Sequence, residues 1–179
     1  MARLAERALI MSEREVEAFY DAHQEKVLGY VRGMGIGYHD AEDIVNTCFE
    51  VIWRYWEKLG DGKARAFLYT VARNEVYKRS RRRYRRREDL MAEPLALATG
   101  DFAQQVVDRV ALRRALDPLP EREREAVLLR YYVGCDVAET ARIMGGIGCG
   151  SVKRYAFDGR RKLLDALTED SKTRKAGAQ

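Results

Sequence analysis

The sequence predicts an all-α protein with two small helical domains that a flexible linker joins. Apolar residues recur at helical spacing along most of the 179 residues, strand-like alternation is absent, and only three prolines occur. Residues 88–103 interrupt this pattern, because they include no basic residue, one proline and only weak periodicity. We therefore expect a first domain over residues 12–87, a linker over 88–103, a second domain over 104–167 and a disordered polar tail over 168–179.

The first two helices are bounded by capping residues and glycines. Ser12–Glu15 form a capping box that marks the start of the first helix, and the glycines of Gly33–Gly37 end it. Asp40 is the expected N-cap of the second helix, which breaks at Gly60–Gly62. A wide apolar stripe of that helix comprises Ile44, Val45, Cys48, Phe49, Ile52, Trp53 and Trp56. We expect Cys48 in the core, whereas the two tryptophans fit a core stripe, an exposed partner surface or one of each.

The third helix ends in a cationic tract. Between Lys78 and Arg87, eight of ten residues are Lys or Arg, and the preceding turns carry an apolar half that anchors the helix on a core. Because like charges on neighbouring turns repel, a polyanion such as a nucleic-acid backbone is the expected counter-charge. One face at helical spacing comprises Asn74, Tyr77, Lys78 and Arg81. The tract alone does not separate DNA from RNA or from an acidic protein, and a solvated face is the plain structural alternative.

The second domain begins with two helices that prolines separate. A helix near Gln104–Leu116 is broken at Pro118–Pro120. Pro120 then suits the first position of another helix over Glu121–Val133, where its missing N–H costs nothing.

A helix-turn-helix pattern follows. Asp136 caps a short helix over Val137–Met144, a glycine-rich turn comes next, and Ser151 caps the last helix, Val152–Leu167. The N-terminal end of such a helix enters the major groove, so the expected base readers are Ser151, Arg154 and Tyr155. The expected phosphate contacts are Lys153, Arg160 and Arg161, with Arg124 and Arg130 on the preceding helix. A structural three-helix bundle with a solvated basic face is the alternative.

Charge is unevenly distributed along the chain. The net charge is +5, but residues 1–62 carry −5, residues 63–87 carry +10, residues 88–103 carry −4 and residues 104–179 carry +4. Blocks of alternating sign indicate separate surfaces for separate partners.

Several function classes are not expected. The three cysteines form no CxxC pair and only two histidines occur, which argues against a disulfide framework and a metal site. No GxSxG, P-loop or carboxylate–histidine pattern is present, so we expect neither a catalytic site nor a cofactor. The sequence has no signal-peptide core and no apolar run of membrane-spanning length, which predicts a cytoplasmic protein.

Three segments carry a family resemblance. They are DAEDIVNTCFEVIWRYW at 40–56, AFLYTVARNEVYKRSRRR at 66–83, and LPEREREAVLLRYYVGCDVAETARIMGG with GSVKRYAFDGRRKLL between 119 and 164. In order and spacing they resemble a bacterial RNA polymerase sigma factor of the small, two-domain extracytoplasmic-function (ECF) group. The resemblance implies a region-two helical bundle and a region-four helix-turn-helix domain, which together direct promoter-specific transcription initiation.

The resemblance also implies the partners. Docking on the clamp helices of the largest subunit of core polymerase is implied for Asp40, Glu42, Asp43, Asn46, Glu50 and Trp53. The polymerase flap is a further implied contact, and an anti-sigma factor is a partner that the resemblance leaves open. The linker would thread through the polymerase cleft toward the RNA exit path.

Promoter contacts follow from the same resemblance. The loop Leu59–Arg65 would hold a base flipped from the minus-ten element, which costs a few kcal/mol of unstacking. Contacts to this element are implied for Lys63, Arg65, Arg73, Asn74, Tyr77, Lys78, Arg81 and Arg82, and the helix-turn-helix would read the minus-35 element. Two departures from the family pattern are a short Leu59–Arg65 loop and a turn before Ser151 that is one residue longer.

Two other function classes fit parts of the pattern. A self-sufficient helix-turn-helix repressor or activator would need a dimer interface to read paired half-sites. An RNA-binding or RNA-processing protein would use the arginine-rich tract without residues 104–179. Catalysis ranks last among the hypotheses, because the sequence offers no triad, dyad or metal cluster.

Overall fold

A computed structural model describes the backbone of residues 2–59, 61–86 and 112–176, and the side chains of residues 14–59, 63–82 and 112–169. All regular elements in these ranges are helical, as the sequence predicted. The chain divides into two compact units. In the described residues, the first unit contains three long helices, and the second contains four shorter helical segments and one long helix. The predicted linker, 88–103, lies outside the described residues.

The first unit consists of α1 (Ala2–Gly33), α2 (Tyr38–Leu59) and α3 (Asp61–Arg86). The predicted start of α1 at Ser12 is wrong: residues 2–11 contain neither glycine nor proline, so the helix continues through Ser12. The N-cap prediction for Asp40 is also wrong, because α2 begins at Tyr38 and its first turn is closed by the Ala41 N–H donating to the Gly37 carbonyl at 2.9 Å.

The predicted loop at Leu59–Arg65 is wrong as well. Because α2 ends at Leu59 and α3 begins at Asp61, a single residue separates the two helices. Lys63 and Arg65 therefore lie on the first turns of α3. An aspartate at the first position of a helical stretch favours a helix start, so the sequence Asp61–Lys63 accommodates this early start despite Gly62.

Aromatic side chains hold the three helices together. Tyr30 on α1 and Tyr69 on α3 are fully buried and meet edge to face, with ring centroids 5.5 Å apart. Phe19 on α1 meets Trp56 on α2 at 5.2 Å in the same manner. Each such pair adds about 0.5–1.5 kcal/mol to the burial of its apolar area. The apolar stripe of α2 thus faces the core except at Trp53, and Cys48 is buried there as predicted.

The second unit begins with a helical segment at 112–116 and continues with α4 (Glu121–Val127), which passes directly into π-helical Leu128–Val133. The outer bounds match the predicted helix, but the π-helical half was not predicted. Pro120 occupies the N-cap position, one residue before the position that the sequence predicted. The earlier part of the predicted Gln104–Leu116 helix, 104–111, lies outside the described residues.

The helix-turn-helix consists of α5 (Val137–Ile143) and α6 (Cys149–Ala176). The predicted Asp136 cap is confirmed, because its carboxylate accepts the Glu139 N–H at 2.7 Å. The glycine turn closes α5 with two bonds, Gly145 N–H to the Arg142 carbonyl and Gly146 N–H to the Ala141 carbonyl. Both glycines have positive φ, which side chains with a Cβ rarely adopt.

Both predicted ends of the last helix are wrong. It begins at Cys149, so Ser151 lies inside the first turn and does not cap it. It also continues to Ala176 through most of the stretch predicted as a disordered tail, where residues 168–176 contain neither glycine nor proline. Among the described residues, no helix has the length and hydrophobicity that a membrane span requires.

Candidate nucleic-acid interface

The outer face of α2 is polar around an exposed tryptophan. Asn46, Glu50 and Trp53 are exposed, with 56 % of Trp53 accessible, and together with Phe49 and Arg54 they line a shallow depression. Trp56 by contrast is buried, and its Nε1–H donates to Glu15 at 3.4 Å. Of the alternatives for the two tryptophans, the structure thus has one in the core and one on the surface.

The N-terminal part of the same α2 face is paired within the chain. The Arg79 guanidinium on α3 bonds the carboxylate of Asp40 through Nη1 and approaches Asp43 Oδ2 through Nη2 at 3.4 Å. The sequence did not predict this contact of Arg79 with α2. The spacing of residues along α3 shows which of them share a face, but not which neighbouring helix that face contacts.

Glu42, on the adjacent side of α2, is also engaged. Its carboxylate accepts a hydrogen bond from the Tyr38 hydroxyl, and this bond raises the pKa of Tyr38 above its ordinary value. His39 Nδ1 lies 3.8 Å from Glu42, and the Arg32 guanidinium sits 5.3 Å from the centre of the Tyr38 ring. On the predicted α2 surface, Asp40, Glu42 and Asp43 thus have partners within the chain, whereas Asn46, Glu50 and Trp53 line the exposed depression.

The predicted DNA face of α3 contains both open and engaged side chains. Lys63, Asn74, Arg81 and Arg82 are exposed. Lys78 is paired with Glu75 at 3.1 Å, and the Arg73 guanidinium lies 4.6 Å from the centre of the half-buried Tyr77 ring. Arg65 is half-buried near the start of the helix. The helix therefore brings Asn74, Tyr77, Lys78 and Arg81 to one side, as their spacing predicted.

The first four turns of α6 present the second cationic face. Lys153, Arg154, Arg160 and Arg161 are exposed, while Ser151 and Tyr155 are half-buried. Two guanidinium groups lie against aromatic rings, Arg154 at 5.4 Å from the Tyr155 centroid and Arg160 at 6.0 Å from the Tyr131 centroid. Phe157, 65 % exposed, lies between them and was missed, although its spacing of three from Arg154 and from Arg160 signals the same face.

The comparisons with known proteins identify the family. The Sigma-70 region 2 family matches residues 19–86, and the Sigma-70 region 4 family matches residues 109–163. The chain is 31% identical over 175 residues to the ECF RNA polymerase sigma factor SigL of Mycobacterium tuberculosis, covering 93% of this chain and 94% of that protein. The chain is an ECF sigma factor of bacterial RNA polymerase. It directs promoter-specific transcription initiation, and the predicted family and function are confirmed.

Other similar proteins agree with this assignment. The sigma factor is 31% identical to the ECF RNA polymerase sigma factor BldN of Streptomyces coelicolor, over 96% of this chain and 67% of that protein. The fold resembles the sigma factor RpoE in complex with the anti-sigma factor NepR from Bartonella quintana, with a TM-score of 0.74 at 23% identity over 87% of this chain and 98% of that one. CnrH in complex with the cytosolic domain of CnrY gives 0.66 at 21% identity over 88% and 90%.

Two arginines of the sigma factor have partners within the chain. Arg124 Nη2 donates to the carbonyls of Asp117 at 2.6 Å and Leu119 at 3.1 Å, and Arg130 donates to the carbonyl of Cys135. These bonds tie the ends of α4 and its π-helical continuation to the flanking chain. Arg124 and Arg130 thus have a local structural role, and their phosphate contacts stay a prediction.

Metal chemistry has no support in the described part of the sigma factor, where no group of three His, Cys, Asp or Glu side chains is arranged to hold an ion. Burial raises the pKa of the Cys48 thiol to about 12, so this residue stays protonated and unreactive at neutral pH. His39 is exposed on the first turn of α2.

Proposed function

We propose that this sigma factor binds core polymerase through α2, recognises and melts the minus-ten element with α3, and reads the minus-35 element with α6. The division into residues 12–87, 88–103 and 104–167 belongs to this proposal. The observation that supports it best is the contrast between the outer face of α2, which is polar with an exposed tryptophan, and the exposed cations of α3 and α6. An exposed aromatic residue within a polar face suits binding to a protein surface, whereas exposed cations suit binding to a phosphate backbone.

The centre of the proposed polymerase surface is Trp53. Binding energy concentrates on exposed aromatic anchors that become fully desolvated, and Asn46 and Glu50 flank this one in the shallow depression. Asp40, Glu42 and Asp43 form the other end of the surface, where each already has an intramolecular contact. We expect the clamp helices of the largest subunit to meet the open end first.

The minus-ten element would lie along α3. Arg81 and Arg82 are exposed and suited to phosphates, whereas Asn74 and Tyr77 offer an amide and a ring for bases. Since one residue separates α2 from α3, a flipped base would be met by the first turns of α3, with Lys63 and Arg65 near its phosphates. Their charges would offset part of the few kcal/mol that unstacking costs.

The minus-35 element would receive the N-terminal half of α6. Arg154 is exposed and has the planar fork that reads a guanine edge, and Ser151 and Tyr155 lie within one turn of it. Lys153, Arg160 and Arg161 would meet phosphates on either side.

The remaining parts of the proposal concern partners and location. The fold resembles a sigma factor that was solved with the anti-sigma factor NepR, so we include an anti-sigma factor among the partners of this chain. The polymerase flap is included for the second domain. The protein would act in the cytoplasm, where bacterial transcription takes place, and would have no catalytic activity of its own.

In vitro transcription tests the proposal. Purified sigma factor is added to sigma-free bacterial core polymerase on a pool of promoter fragments, with a control sigma factor showing that the core is active. We expect discrete start sites that appear only with this chain. Trp53→Ala should reduce transcription from all of these promoters, whereas Lys26→Ala, which alters an exposed residue of α1, should not. Specific footprinting by the isolated chain, with no transcripts, would instead support a stand-alone regulator.

A further inference from the structure

Arg79 joins the helix proposed for DNA to the face proposed for polymerase. It stands within the cationic tract, yet only 33 % of its side chain is exposed, because its guanidinium reaches across to α2. There it meets two carboxylates one turn apart: Nη1 bonds Asp40 Oδ1 and Nη2 lies 3.4 Å from Asp43 Oδ2. The Asp40 side chain is 30 % exposed and that of Asp43 is 68 % exposed, so both stay accessible from outside.

The geometry sets how strong this contact is. A guanidinium is always charged and has two edges of donors, so one arginine can serve two carboxylates at once. Because the contact is partly open to water, it has the strength of a surface ion pair, which a partner with several cationic donors can displace. Carboxylates i and i+3 on a helix are also the arrangement that an external arginine or lysine would use.

We propose that Arg79 is an intramolecular latch that occupies Asp40 and Asp43 in the isolated sigma factor and must release them when core polymerase docks. The inference rests on the proposed function, because it takes α2 as the polymerase surface. The latch lowers the affinity of the isolated chain for polymerase, since every docking event has to break the Arg79 contacts.

The competing explanation is that Arg79 only fastens α3 to α2. The two explanations give opposite signs. If Arg79 competes with polymerase, removal of its charge makes docking tighter. If Arg79 is only a fastener, its removal loosens the α2–α3 pair and makes docking weaker or leaves it unchanged.

Equilibrium binding of the full chain to sigma-free core polymerase tests the latch. Arg79→Gln removes the charge but keeps most of the stem. A surface ion pair of up to about 1 kcal/mol corresponds to roughly a fivefold change in binding constant, so we expect Arg79→Gln to bind about twofold to fivefold tighter at low ionic strength. The gain should shrink as salt screens the pair. Lys26→Ala, a matched loss of one exposed positive charge on α1, should leave the affinity unchanged.

Two further measurements keep the result unambiguous. Urea unfolding of each variant shows whether Arg79→Gln is folded, and Arg79→Lys replaces it if it is not, with a smaller gain expected because lysine lacks the second donor edge. Asp43→Asn should weaken docking more in the Arg79→Gln background than in the wild type, because only there is the carboxylate fully available. Equal or weaker docking of a folded Arg79→Gln would overturn the latch. Failure of the wild-type chain to bind core polymerase would overturn the proposed function itself.

Discussion

The cationic helices α3 and α6 hold their charges in different ways. On α3, Lys78 is paired with Glu75 and Arg79 with the α2 carboxylates, so part of the charge density is neutralised within the fold. On α6, Lys153, Arg154 and Arg161 are exposed, and the opposite face is packed by small residues. Lys162 of α6 is likewise paired, with Glu123 at 2.8 Å, so both helices have engaged and open cations. The first helix has the denser run of cations, and the second presents its cations from a backbone that packs closely on α4 at Gly159.

This difference separates affinity from specificity. Contacts to phosphates depend on how many cations are present and carry no sequence information, whereas a base edge is read only when a side chain is placed within about an ångström. We infer that α3 contributes mainly salt-dependent affinity and that α6 contributes placement. Substitutions on α6 and on α3 should therefore have different effects, and the largest is expected where α6 packs on α4.

The largest effect is expected from Gly159, where α6 crosses α4. A Cβ at this position would lie 2.7 Å from Val127 Cγ2 and 3.0 Å from the backbone oxygen of Glu123, which cannot move aside without the helix. Gly159→Leu should therefore destabilise the second unit by about 3 kcal/mol through overpacking. Denaturant unfolding followed by circular dichroism checks this loss.

Gly150 provides the matched control for that substitution. It lies in the first turn of the same helix, and an added Cβ would meet no atom within 4 Å. Gly150→Leu should cause no loss of stability, because it removes the entropic cost of a helical glycine without a clash. Similar losses at both positions would mean that the closeness of α6 to α4 does not determine the stability of the unit.

The next effect concerns base reading by α6. Arg154→Ala should cost about 1–3 kcal/mol on the preferred promoter and relax specificity at one base pair of the minus-35 element. Arg161 is also exposed on α6, and Arg161→Ala should weaken binding to all promoters by a similar factor. Holoenzyme binding to a set of single-base promoter variants measures both. An equal loss on every variant for Arg154→Ala would make it a phosphate contact.

The sequence predicted those parts of the fold that depend on local chemistry. Apolar periodicity located the helices, and Asp136 just before a short helical stretch predicted a cap that the structure confirms. Helix starts were less predictable, because Ser12 and Ser151 are good capping residues in stretches where the helix simply continues. A capping residue stabilises a helix start but does not enforce one when the preceding residues also favour helix.

The spacing of residues along one helix did not predict which residues of a neighbouring helix they contact. The partner surface of α2 was implied by the family resemblance, but the engagement of Asp40 with Arg79 depends on how α2 and α3 pack. Likewise, Arg124 and Arg130 are residues of the type that contacts phosphates. Only the folded structure shows that their guanidinium groups donate hydrogen bonds to backbone carbonyls. Long, flexible cations have several partners of similar energy, so sequence alone does not choose among them.

A smaller effect is expected from single exposed cations of α3. Arg81→Ala and Arg82→Ala should each reduce the slope of log binding constant against log salt by about 1, with little change in base preference. Titration of the holoenzyme on promoter DNA at several salt concentrations gives the slope. Lys78→Ala should change it less, since Glu75 already neutralises that charge. A slope that none of these substitutions alters would remove the tract from the DNA interface.

The smallest effect is a pH dependence at the cap of α5. The Glu139 N–H donates to the Asp136 carboxylate and so lowers the pKa of Asp136 below its ordinary value. A carboxyl group with a lower pKa in the folded state stabilises the fold above its unfolded pKa of about 3.9, and this contribution is lost as the pH falls through the folded value. The melting temperature, or thermal midpoint, of the second unit should therefore decrease as the pH is lowered below about 3.9.

Asp136→Asn separates the effect of the carboxylate charge from the effect of the capping hydrogen bond in that measurement. Asparagine retains an oxygen that accepts the Glu139 N–H but does not titrate, so this variant should lose part of the acidic fall in midpoint while keeping a helical α5. Asp136→Ala removes both and should lower the midpoint at neutral pH as well. If the midpoints of Asp136→Asn and the wild type fall equally with pH, the acid sensitivity of the second unit does not arise from Asp136.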